Sequence, residues 1–177
     1  MKIKELEAKI AELQRELAEL KNPKTTYGDL VAGDTFYFRG HEFTKLKDGR
    51  AIINDYNEDF MNCIFDNVDN RYKASLIRHF INNKLYDLLG FETGDWEPFS
   101  GCELLSKEEY EENRDLIKSF DTAWWLRSGY PSYSCDAYYV NPSGEYDYSN
   151  VHRSNGARPV FKFSRAIKVQ VVNEHKD

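Results

Sequence analysis

The segment 124–163 constrains this chain most, because a tyrosine-rich stretch lies there between two apolar ends. The segment begins with Trp124-Trp125-Leu126 and closes with Pro159-Val160-Phe161. Between these ends lie six of the chain's 12 tyrosines, surrounded by Ser, Asn, Gly, Asp and Pro, with almost no long aliphatic residues. That composition does not fill a hydrophobic core, which favours Leu, Ile, Val and Phe. It is typical of a binding surface, since tyrosine supplies rigid contact area and Ser, Gly and Asn supply adaptable hydrogen bonds.

A β-hairpin is predicted in the middle of this segment. Two short strands, 137–141 and 145–150, flank the turn sequence Pro142-Ser143-Gly144. Successive side chains of a strand point to opposite faces, so we expect Tyr139 and Val140 to lie on different faces and some tyrosines to face solvent. The alternative is that the tyrosines only form cross-strand pairs that stabilise the hairpin.

The residues predicted to form an exposed ligand-binding surface come from this hairpin and the loops around it. They are Tyr130, Ser132, Tyr133, Ser134, Asp136, Tyr138, Tyr146, Tyr148, Ser149, His152 and Arg153. Beneath them we expect a core made by 124–126 and by a strand at 160–163. Arg127 and Arg158 are expected to pair with buried acids or carbonyls, a structural role that suits the planar guanidinium. The alternating apolar residues of 167–171 predict an additional edge strand.

The first strands are predicted to form an antiparallel meander. Thr35–Phe38 alternates as a strand, and Gly40 ends it. The next two strands, 42–47 and 50–54, flank Asp48-Gly49, which is a strong signal for a two-residue hairpin turn.

Two helices are predicted between the meander and the tyrosine-rich segment. Asn70 is placed to cap a helix over about 71–89. Ser106 and Glu109 form the capping-box pattern of a second helix that ends near Lys118. The first helix has a broad apolar stripe that we expect in the core, formed by Leu76, Ile77, Phe80, Ile81, Leu85, Leu88 and Leu89.

A heptad pattern organises the N-terminal segment, where apolar residues recur at spacings of three and four and good helix formers fill the other positions. The pattern consists of Ile3, Leu6, Ile10, Leu13, Leu17 and Leu20. We expect residues 1–22 to form a coiled-coil oligomerisation helix, in a homodimer or a homotrimer. The alternative is a lone amphipathic helix that packs on its own domain. Pro23 ends the helix, residues 23–26 are predicted to be a linker, and residues 27–177 are predicted to be the ligand-binding domain.

The sequence contains no motif that predicts catalysis. Nucleophile-elbow, phosphate-loop and dinucleotide-binding motifs do not occur. The four histidines share no metal-ligand spacing with one another or with the three scattered cysteines, which we expect to be free thiols. We therefore expect no catalytic residue, no cofactor and no metal.

Charge and hydropathy narrow the classes of partner. The formal net charge is −6 and no Lys/Arg-rich stripe occurs, which argues against a nucleic-acid partner. No run of about 18 apolar residues occurs, so we expect no membrane insertion. The N-terminus lacks the apolar centre of a signal peptide, so we expect synthesis in the cytoplasm.

Two motifs carry a family resemblance: WWLRS at 124–128 and NGARPVF at 155–161, with the Tyr/Ser/Asn-rich stretch between them. This arrangement resembles the C-terminal part of the C-type-lectin-fold variable proteins that accompany diversity-generating retroelements in phages and bacteria. It is also similar to a broader family of phage and bacterial domains of unassigned function that end in WWLRS…GVRPA. The resemblance extends from Tyr27 to Phe163, and Ala157 replaces the valine that is common in that position.

The resemblance implies an α+β, C-type-lectin-like fold, with twisted antiparallel sheets and two helices. It also implies a non-enzymatic protein that presents a diversified surface to a protein or glycan receptor, on a phage tail or a bacterial cell surface. Retroelements of this kind mutate adenines, which turns Asn codons into codons for Tyr, Ser, Asp or His. Those residues are enriched between the two motifs.

Two other functions remain as alternatives. C-type-lectin folds also include formylglycine-generating enzymes, which depend on a reactive cysteine pair with copper, whereas Cys102 and Cys135 stand outside any such motif here. The other alternative is a purely structural tail or surface module.

Calcium is not expected. Sugar-binding lectins of that fold hold calcium with Glu-Pro-Asn or Gln-Pro-Asp, and Asn141-Pro142 lacks the preceding acid.

Overall fold

The computed structural model describes residues 24–55, 62–85 and 102–172, and antiparallel β-sheet dominates these residues. Short helices pack against the sheets, so the fold class is α+β, as expected. The heptad pattern and the predicted coiled-coil helix of residues 1–22 lie outside the described residues. Within the described ranges, no helix is long and apolar enough to cross a lipid bilayer.

The strands form three sheets, with the orders β1-β11-β2-β3-β4-β10, β6-β7-β8 and β5-β9. In chain order they are β1 (Lys24–Thr26), β2 (Thr35–Phe38), β3 (His41–Lys45), β4 (Ala51–Ile53), β5 (Cys63–Ile64), β6 (Trp124–Gly129), β7 (Asp136–Val140), β8 (Tyr146–Asn150), β9 (Ser154–Asn155), β10 (Val160–Phe161) and β11 (Lys168–Val171). The α-helices are α1 (Leu76–Phe80) and α2 (Lys107–Asn113), and 3₁₀ turns lie at Tyr27–Asp29 and Tyr72–Ala74.

The predicted meander is confirmed as β2-β3-β4. Phe36 lies opposite Phe43 across β2 and β3, and their stacked rings are 5.5 Å apart on the buried face. This apolar pair specifies the register, because a slip of one residue would turn both rings to solvent. The turn between β3 and β4 lies at the predicted place, but its loop has three residues, 47–49, and not two, because Leu46 faces Arg50 and its N–H donates to the Arg50 carbonyl at 2.8 Å. The loop needs Gly49, whose φ is +82°, a conformation that glycine adopts without steric cost.

Residues 24–26 correct the prediction of a linker, because they form β1 and pair with β11. β11 confirms the strand predicted at 167–171, but it lies between β1 and β2 and not at the edge of the sheet. The two threonines of β1 favour extended backbone. The buried Tyr27 directly follows them and anchors the strand. The Tyr27 ring lies 5.2 Å from that of Phe163, and its hydroxyl donates to the Gly49 carbonyl at 2.7 Å.

The first predicted helix has a different start. Ser75 caps α1, because its Oγ accepts a hydrogen bond from the Arg78 N–H at 3.3 Å. Asn70 was predicted to be the cap, but its side chain is hydrogen-bonded elsewhere, as described below. The helical stretch is divided into the 3₁₀ turn, α1 and a π-helical turn at Ile81–Leu85.

Burial in this stretch follows the predicted stripe only in part. Ile77 and Ile81 are buried, as predicted. Leu76 is 42% exposed, because it occupies the first position of α1, at the surface. Leu88 and Leu89 lie outside the described residues.

The predicted capping box of α2 is confirmed. The Glu109 N–H donates to Ser106 Oγ at 3.1 Å, and the Ser106 N–H donates to Glu109 Oε2 at 2.8 Å. α2 ends at Asn113, earlier than the predicted end near Lys118. The buried Asn113 amide accepts from the Lys47 N–H at 2.8 Å and donates to the Glu109 carbonyl at 2.8 Å, which ties the helix end to the β3–β4 turn.

β6 lies between two hydrophobic clusters, which explains its unbroken apolar start. Trp125 packs in the main core under the six-stranded sheet, where its indole Nε1–H donates to the Cys63 carbonyl at 2.9 Å. Trp124 and Leu126 point to the other face, into a second cluster under α2. Trp124, Trp125 and Leu126 are therefore core residues, as predicted.

Arg127 and Arg158 have the structural partners that the sequence predicted. Arg127 donates to Glu109 Oε1 at 2.7 Å and to the Leu104 carbonyl at 3.1 Å. Arg158 is buried and donates to the Ile53 carbonyl at 2.8 Å. Both guanidiniums thus join strands to loops that are distant in the sequence.

Candidate ligand-binding surface

The candidate surface is the outer face of the β6-β7-β8 sheet. α2 covers one part of this face, where Val140 packs under Tyr110 in the second cluster. Tyr139 points to the opposite face, toward the main core, and its ring lies 6.2 Å from that of Trp125. Tyr139 and Val140 therefore lie on different faces, as predicted, because side chains alternate along β7. Tyr138 and Tyr148 are directly paired across β7 and β8 and extend the outer face beyond α2.

Ring contacts join the tyrosines of this face into one patch, here called the tyrosine cluster. Its members are Tyr130, Tyr133, Tyr138, Tyr146 and Tyr148. The ring of Tyr130 stacks on that of Tyr148 with centroids 3.9 Å apart and planes 10° apart. It also lies 6.0 Å from the ring of Tyr133 and 5.6 Å from that of Tyr138. The ring of Tyr146 meets that of Tyr138 edge-on at 6.0 Å, so the cluster is continuous from the loop after β6 to the start of β8.

The five rings differ in exposure. Tyr133 is 58% exposed and Tyr148 is 43% exposed, as expected of a contact surface. Tyr130, Tyr138 and Tyr146 were predicted to be exposed but are half-buried. Their rings pack on one another and on the edge of the second cluster, which removes part of each ring from water.

Asn70 holds the loop that carries Tyr130 and Tyr133. Its Nδ2 lies within hydrogen-bond distance of the carbonyls of Tyr130 at 3.0 Å, Tyr133 at 3.1 Å and Asp136 at 2.7 Å, so its two hydrogens are shared among three acceptors. Its own N–H donates to the Ser134 carbonyl at 2.8 Å. The loop is closed further by the Tyr130 N–H, which donates to the Asp136 carbonyl at 2.8 Å. Sequence reasoning missed this role, since an Asn before an apolar stripe more commonly indicates a helix cap.

Gly129 allows Asn70 to reach this position. A Cβ on Gly129 would lie 2.5 Å from Cγ of Asn70 and 2.7 Å from Nδ2. Side chains do not approach this closely, so any larger residue here would displace the amide. The register of β6 against β7 shifts between Trp125 and Gly129, and this irregularity brings Gly129 opposite Ala137.

A cation borders the cluster at its junction with α2. Nζ of Lys107 lies 4.5 Å from the ring centroid of Tyr146 and 5.6 Å from that of Tyr138. Nζ of Lys107 also pairs with Glu111 at 3.2 Å. The hydrogen bond to Glu111 and then the Tyr146 hydroxyl raise the pKa of Lys107. The surface therefore presents a positive charge beside two aromatic faces, an arrangement that favours cation–π contact.

The hydroxyl side of the stacked pair is also polar. The Tyr130 hydroxyl and then burial raise the pKa of Tyr148, and the nearby Asp147 carboxylate adds to this. The Tyr148 hydroxyl is therefore a neutral hydrogen-bonding group at ordinary pH, able to donate and accept toward a ligand.

The loop after β6 supplies the predicted serines. Ser132 and Ser134 are exposed in the loop between β6 and β7. Asp136, which follows the loop, is half-buried and pairs with Asn150 at the end of β8. These residues border the Tyr130 and Tyr133 side of the cluster.

The remaining predicted residues lie farther from the rings. Ser149 pairs with Ala137, so strand alternation places it on the opposite face from Tyr148. This corrects its assignment to the outer surface. His152 and Arg153 are exposed in the turn that follows β8.

Among the described residues, the thiols and acids form no arrangement that indicates chemistry. Burial raises the pKa of Cys63 to about 11 and that of Cys102 to about 12, so both thiols are protonated at neutral pH. Cys135 is an exposed free thiol. In residues 24–55, 62–85 and 102–172, no group of three or more His, Cys, Asp or Glu side chains is placed to hold a metal ion.

Part of the chain matches a known family. The model of a family described as a domain of unknown function (DUF6273) matches residues 91–164, a range that contains α2, β6, β7, β8 and the whole tyrosine cluster. No curated protein and no solved structure matches the chain.

Proposed function

We propose that this chain is a non-enzymatic ligand-binding protein that contacts a protein or glycan receptor on a target cell through the tyrosine cluster. Its scaffold is a C-type-lectin-like domain, and residues 1–22 form a coiled coil that joins two or three copies. The protein acts on a phage tail or a bacterial cell surface, like the variable proteins that it resembles. One observation carries this proposal: five tyrosine rings form a continuous, partly exposed patch on one sheet face.

The paired strands and the ring contacts hold the tyrosine rings in fixed positions, which favours binding. Tyr138, Tyr146 and Tyr148 lie on paired strands, and Tyr130 stacks on Tyr148, so the patch is ordered before a ligand arrives. Pre-ordered side chains lose little entropy on contact, and a few aromatic anchors usually supply most of the binding energy. Tyr133 is the most exposed ring of the tyrosine cluster, at 58%, and is therefore the most accessible to a partner.

The scaffold also separates recognition from stability. The inner face of the β6-β7-β8 sheet packs Trp125 and Ala137 into the main core, while the outer face presents the cluster. The exposed residues of the outer face, Tyr133 and Tyr148 among them, can therefore change with little effect on the main core. This separation supports the proposal that the segment 130–154 is diversified, as the resemblance to retroelement variable proteins implies.

A second candidate function, a purely structural module, is favoured by the half-buried state of Tyr130, Tyr138 and Tyr146. Ring contacts on one sheet face stabilise the sheet regardless of a ligand. The two hypotheses differ most at Tyr133 and Tyr148, the two most exposed rings of the tyrosine cluster. An enzyme related to the formylglycine-generating group has less support, because the thiols of Cys63 and Cys102 are buried and protonated.

The test is direct binding with matched variants. The labelled full chain is applied to a printed glycan array and to a panel of bacterial strains, with Y133A/Y148A and Y37A beside it. Tyr37 is 39% exposed, close to the 43% of Tyr148, but lies on β2 in the other sheet. We expect Y133A/Y148A to weaken binding on the order of 30-fold, equivalent to about 2 kcal/mol, and Y37A to bind like the original chain.

Two results would contradict the proposal. Equal binding by Y133A/Y148A and the original chain would assign the rings a structural role. Failure of the original chain to bind any glycan or strain would remove the receptor-binding function.

The retroelement origin has a separate test at the DNA level. We expect a reverse-transcriptase gene near the coding sequence, with a near-copy of the segment encoding 130–154 that differs only at adenines. Flanking DNA without such a copy would contradict diversification and leave the binding test unaffected.

A further inference from the structure

A second concave site lies at the C-terminal end of α2, away from the Lys107 end that borders the tyrosine cluster. It is a pocket of about 170 Å³, bounded by Arg114 and residues 117–120 on one side and by the β7–β8 turn on the other. Trp124 forms part of its wall. The proposed function makes no use of this pocket.

The charge of the pocket is unusual for this protein. Three cationic residues line it, Arg114, Lys118 and Arg158, and no carboxylate residue is among the lining residues. The chain as a whole has a formal net charge of −6. A cationic concavity in an acidic protein attracts anions, because local charge and low-dielectric walls focus the field.

Arg158 supplies a buried charge whose hydrogen bonds all go to neutral groups. Its guanidinium donates to the Ile53 carbonyl at 2.8 Å, to the Lys118 carbonyl at 2.8 Å and to Asn54 Oδ1 at 2.9 Å. A guanidinium has five N–H donors, so the described part of the chain supplies acceptors for three of them. Buried charges in proteins are normally paired with an opposite charge. The Glu42 carboxylate acts on Arg158 from a distance, and an anion in the pocket would add a direct partner.

Burial does not neutralise the Arg158 guanidinium. It lowers the pKa of Arg158 to about 10, so the group still carries its charge at neutral pH. Its Cζ lies 4.8 Å from the ring centroid of Phe120 and 5.4 Å from that of Trp124, which holds the guanidinium between two aromatic faces.

The other two cations have carboxylate partners outside the pocket. Arg114 pairs with Glu145, and both side chains are exposed. Ion pairs at exposed positions are worth little, so a ligand anion can compete for Arg114. Lys118 pairs at 2.8 Å with Glu42, whose side chain is only 18% exposed, so Lys118 is held by its partner and Arg114 is the cation that a ligand can reach.

The apolar walls of the pocket indicate which kind of chemical group carries the anion. Ile117, Phe120, Trp124 and Val140 give the pocket apolar surface beside its cations. A cavity of about 150 Å³ holds a benzene ring, so this pocket has room for a small planar stem. A guanidinium binds carboxylates and phosphates through two parallel hydrogen bonds. A carboxylate is the one of these two oxyanions that is itself planar and that is commonly carried on a small planar stem.

We propose that this pocket binds a small organic acid, with its carboxylate on the Arg114 and Arg158 side and its planar or short apolar stem against Trp124. The site is independent of the tyrosine cluster.

Benzoate is the probe, with benzamide as its neutral isostere and inorganic phosphate as an anion without a stem. Binding to the full chain is measured by calorimetry and located by chemical-shift changes in the ¹H–¹⁵N spectrum. We expect benzoate to bind at least about tenfold more tightly than either control, with the largest shifts at Trp124 and in the β7–β8 turn. Equal binding of benzoate and benzamide, or shifts outside the pocket, would overturn the proposal. Phosphate binding equal to that of benzoate would show that the pocket recognises charge alone, and would overturn its assignment to organic acids.

Two variants at the rim of the pocket test the proposal further and leave the buried Arg158 unchanged. R114Q should weaken benzoate binding about tenfold, whereas E145Q should strengthen it about two- to fivefold by releasing Arg114. K47Q is the control. Lys47 is an exposed lysine that pairs with Asp115 outside the pocket, so its loss should leave benzoate binding unchanged. Unchanged binding in both R114Q and E145Q would contradict the proposal. Y133A/Y148A should retain benzoate binding, so the failure of one site can be told from the failure of the other.

Discussion

A single side-chain amide decides much of the shape of the candidate surface. Asn70 binds three carbonyls of the segment 130–136, and these bonds orient the backbone from which Tyr130 and Tyr133 project. No ring of the tyrosine cluster is needed for this, so the loop and the rings can be tested separately.

Removing the Asn70 amide should loosen this loop. We expect N70A to lower the free energy of unfolding by about 1–3 kcal/mol, because three carbonyls lose a shared donor. N83A is the matched control, since Asn83 is exposed and, among the described residues, its amide is hydrogen-bonded to His79 alone. Urea unfolding of both variants is the measurement, and a similar loss in N70A and N83A would mean that the Asn70 bonds contribute nothing to stability.

The aromatic residues of the β6-β7-β8 sheet should differ in their contribution to stability according to the face they occupy. We expect W125A to cost about 3–5 kcal/mol, as a large truncation in the main core, and Y133A to cost less than about 0.5 kcal/mol at its exposed position. Y138A should cost an intermediate amount, about 1–2 kcal/mol, since its ring is half-buried and contacts two other tyrosines. Parallel urea unfolding tests this order, and a Y133A loss as large as that of W125A would make the exposed rings core residues.

At the scale of elements, β6 combines regular pairing at its start with an irregularity at its end. Trp124 and Trp125 pair in register with Val140 and Tyr139, and the register then shifts before Gly129. The shift turns the end of β6 toward Asn70, so the irregularity joins the sheet to the loop that Asn70 orders.

The close approach of Gly129 and Asn70 predicts a double-mutant cycle. We expect G129A to cost about 2–3 kcal/mol in the original chain, because the added methyl clashes with the Asn70 amide. In N70A the clashing atoms are gone, so the same substitution should cost less than about 1 kcal/mol. Unfolding free energies of the four chains give the coupling energy. A coupling near zero would mean that the two residues do not compete for space.

α2 depends on one carboxylate that serves two functions. Glu109 completes the capping box with Ser106, and the same carboxylate accepts hydrogen bonds from Arg127 at 2.7 Å and Arg50 at 2.9 Å. Burial by itself would raise the pKa of Glu109, but the Ser106 N–H and then the two guanidiniums outweigh it and lower the pKa.

The lowered pKa predicts a pH-dependent contribution to stability. A carboxylate with a folded-state pKa below its ordinary value of 4.5 stabilises the fold above pH 4.5, and this contribution is lost as the pH falls through the folded-state pKa. We expect E109Q to cost about 1–2 kcal/mol at pH 7 and progressively less below pH 4.5, because the protonated acid resembles the amide. E112Q, at an exposed position on α2, serves as the control. An E109Q cost that stays constant from pH 7 to pH 3 would rule out the ionised cap.

At the scale of the whole molecule, β1 connects the globular part to the predicted coiled coil. β1 is the outermost strand of the six-stranded sheet, and its first residue, Lys24, directly follows the N-terminal segment. A truncated chain that keeps the globular fold must therefore begin at Lys24 and not at Tyr27, because loss of β1 would leave β11 at the edge without its partner.

The heptad pattern predicts self-association. We expect the full chain to be a dimer or a trimer by light scattering and the chain beginning at Lys24 to be a monomer, since the apolar seam lies entirely within 1–22. A full-length L6E/L13E variant retains every globular residue and should also be a monomer. A monomeric full chain would contradict the coiled coil, and an oligomeric chain beginning at Lys24 would place the interface in the globular part.

The sequence by itself determined the features that depend on neighbouring residues. The hairpin turn at Asp48-Gly49, the capping box of α2 and the alternation of Tyr139 and Val140 all follow from contacts within a few positions of the chain. The tyrosine-rich composition of 130–148 likewise identified all five members of the tyrosine cluster before their contacts were known.

The tertiary structure alone decided the features that join distant residues. Asn70 contacts carbonyls 60 to 66 positions away, and Arg158 contacts Ile53 across 105 positions. Local pattern favours a helix cap for Asn70 because capping uses nearby N–H groups, whereas the loop that it binds is brought beside it only when the sheets assemble. The same assembly pairs β1 with β11, half-buries three of the tyrosines and gathers Arg114, Lys118 and Arg158 around one pocket. Such contacts depend on chain topology, which local periodicity does not encode.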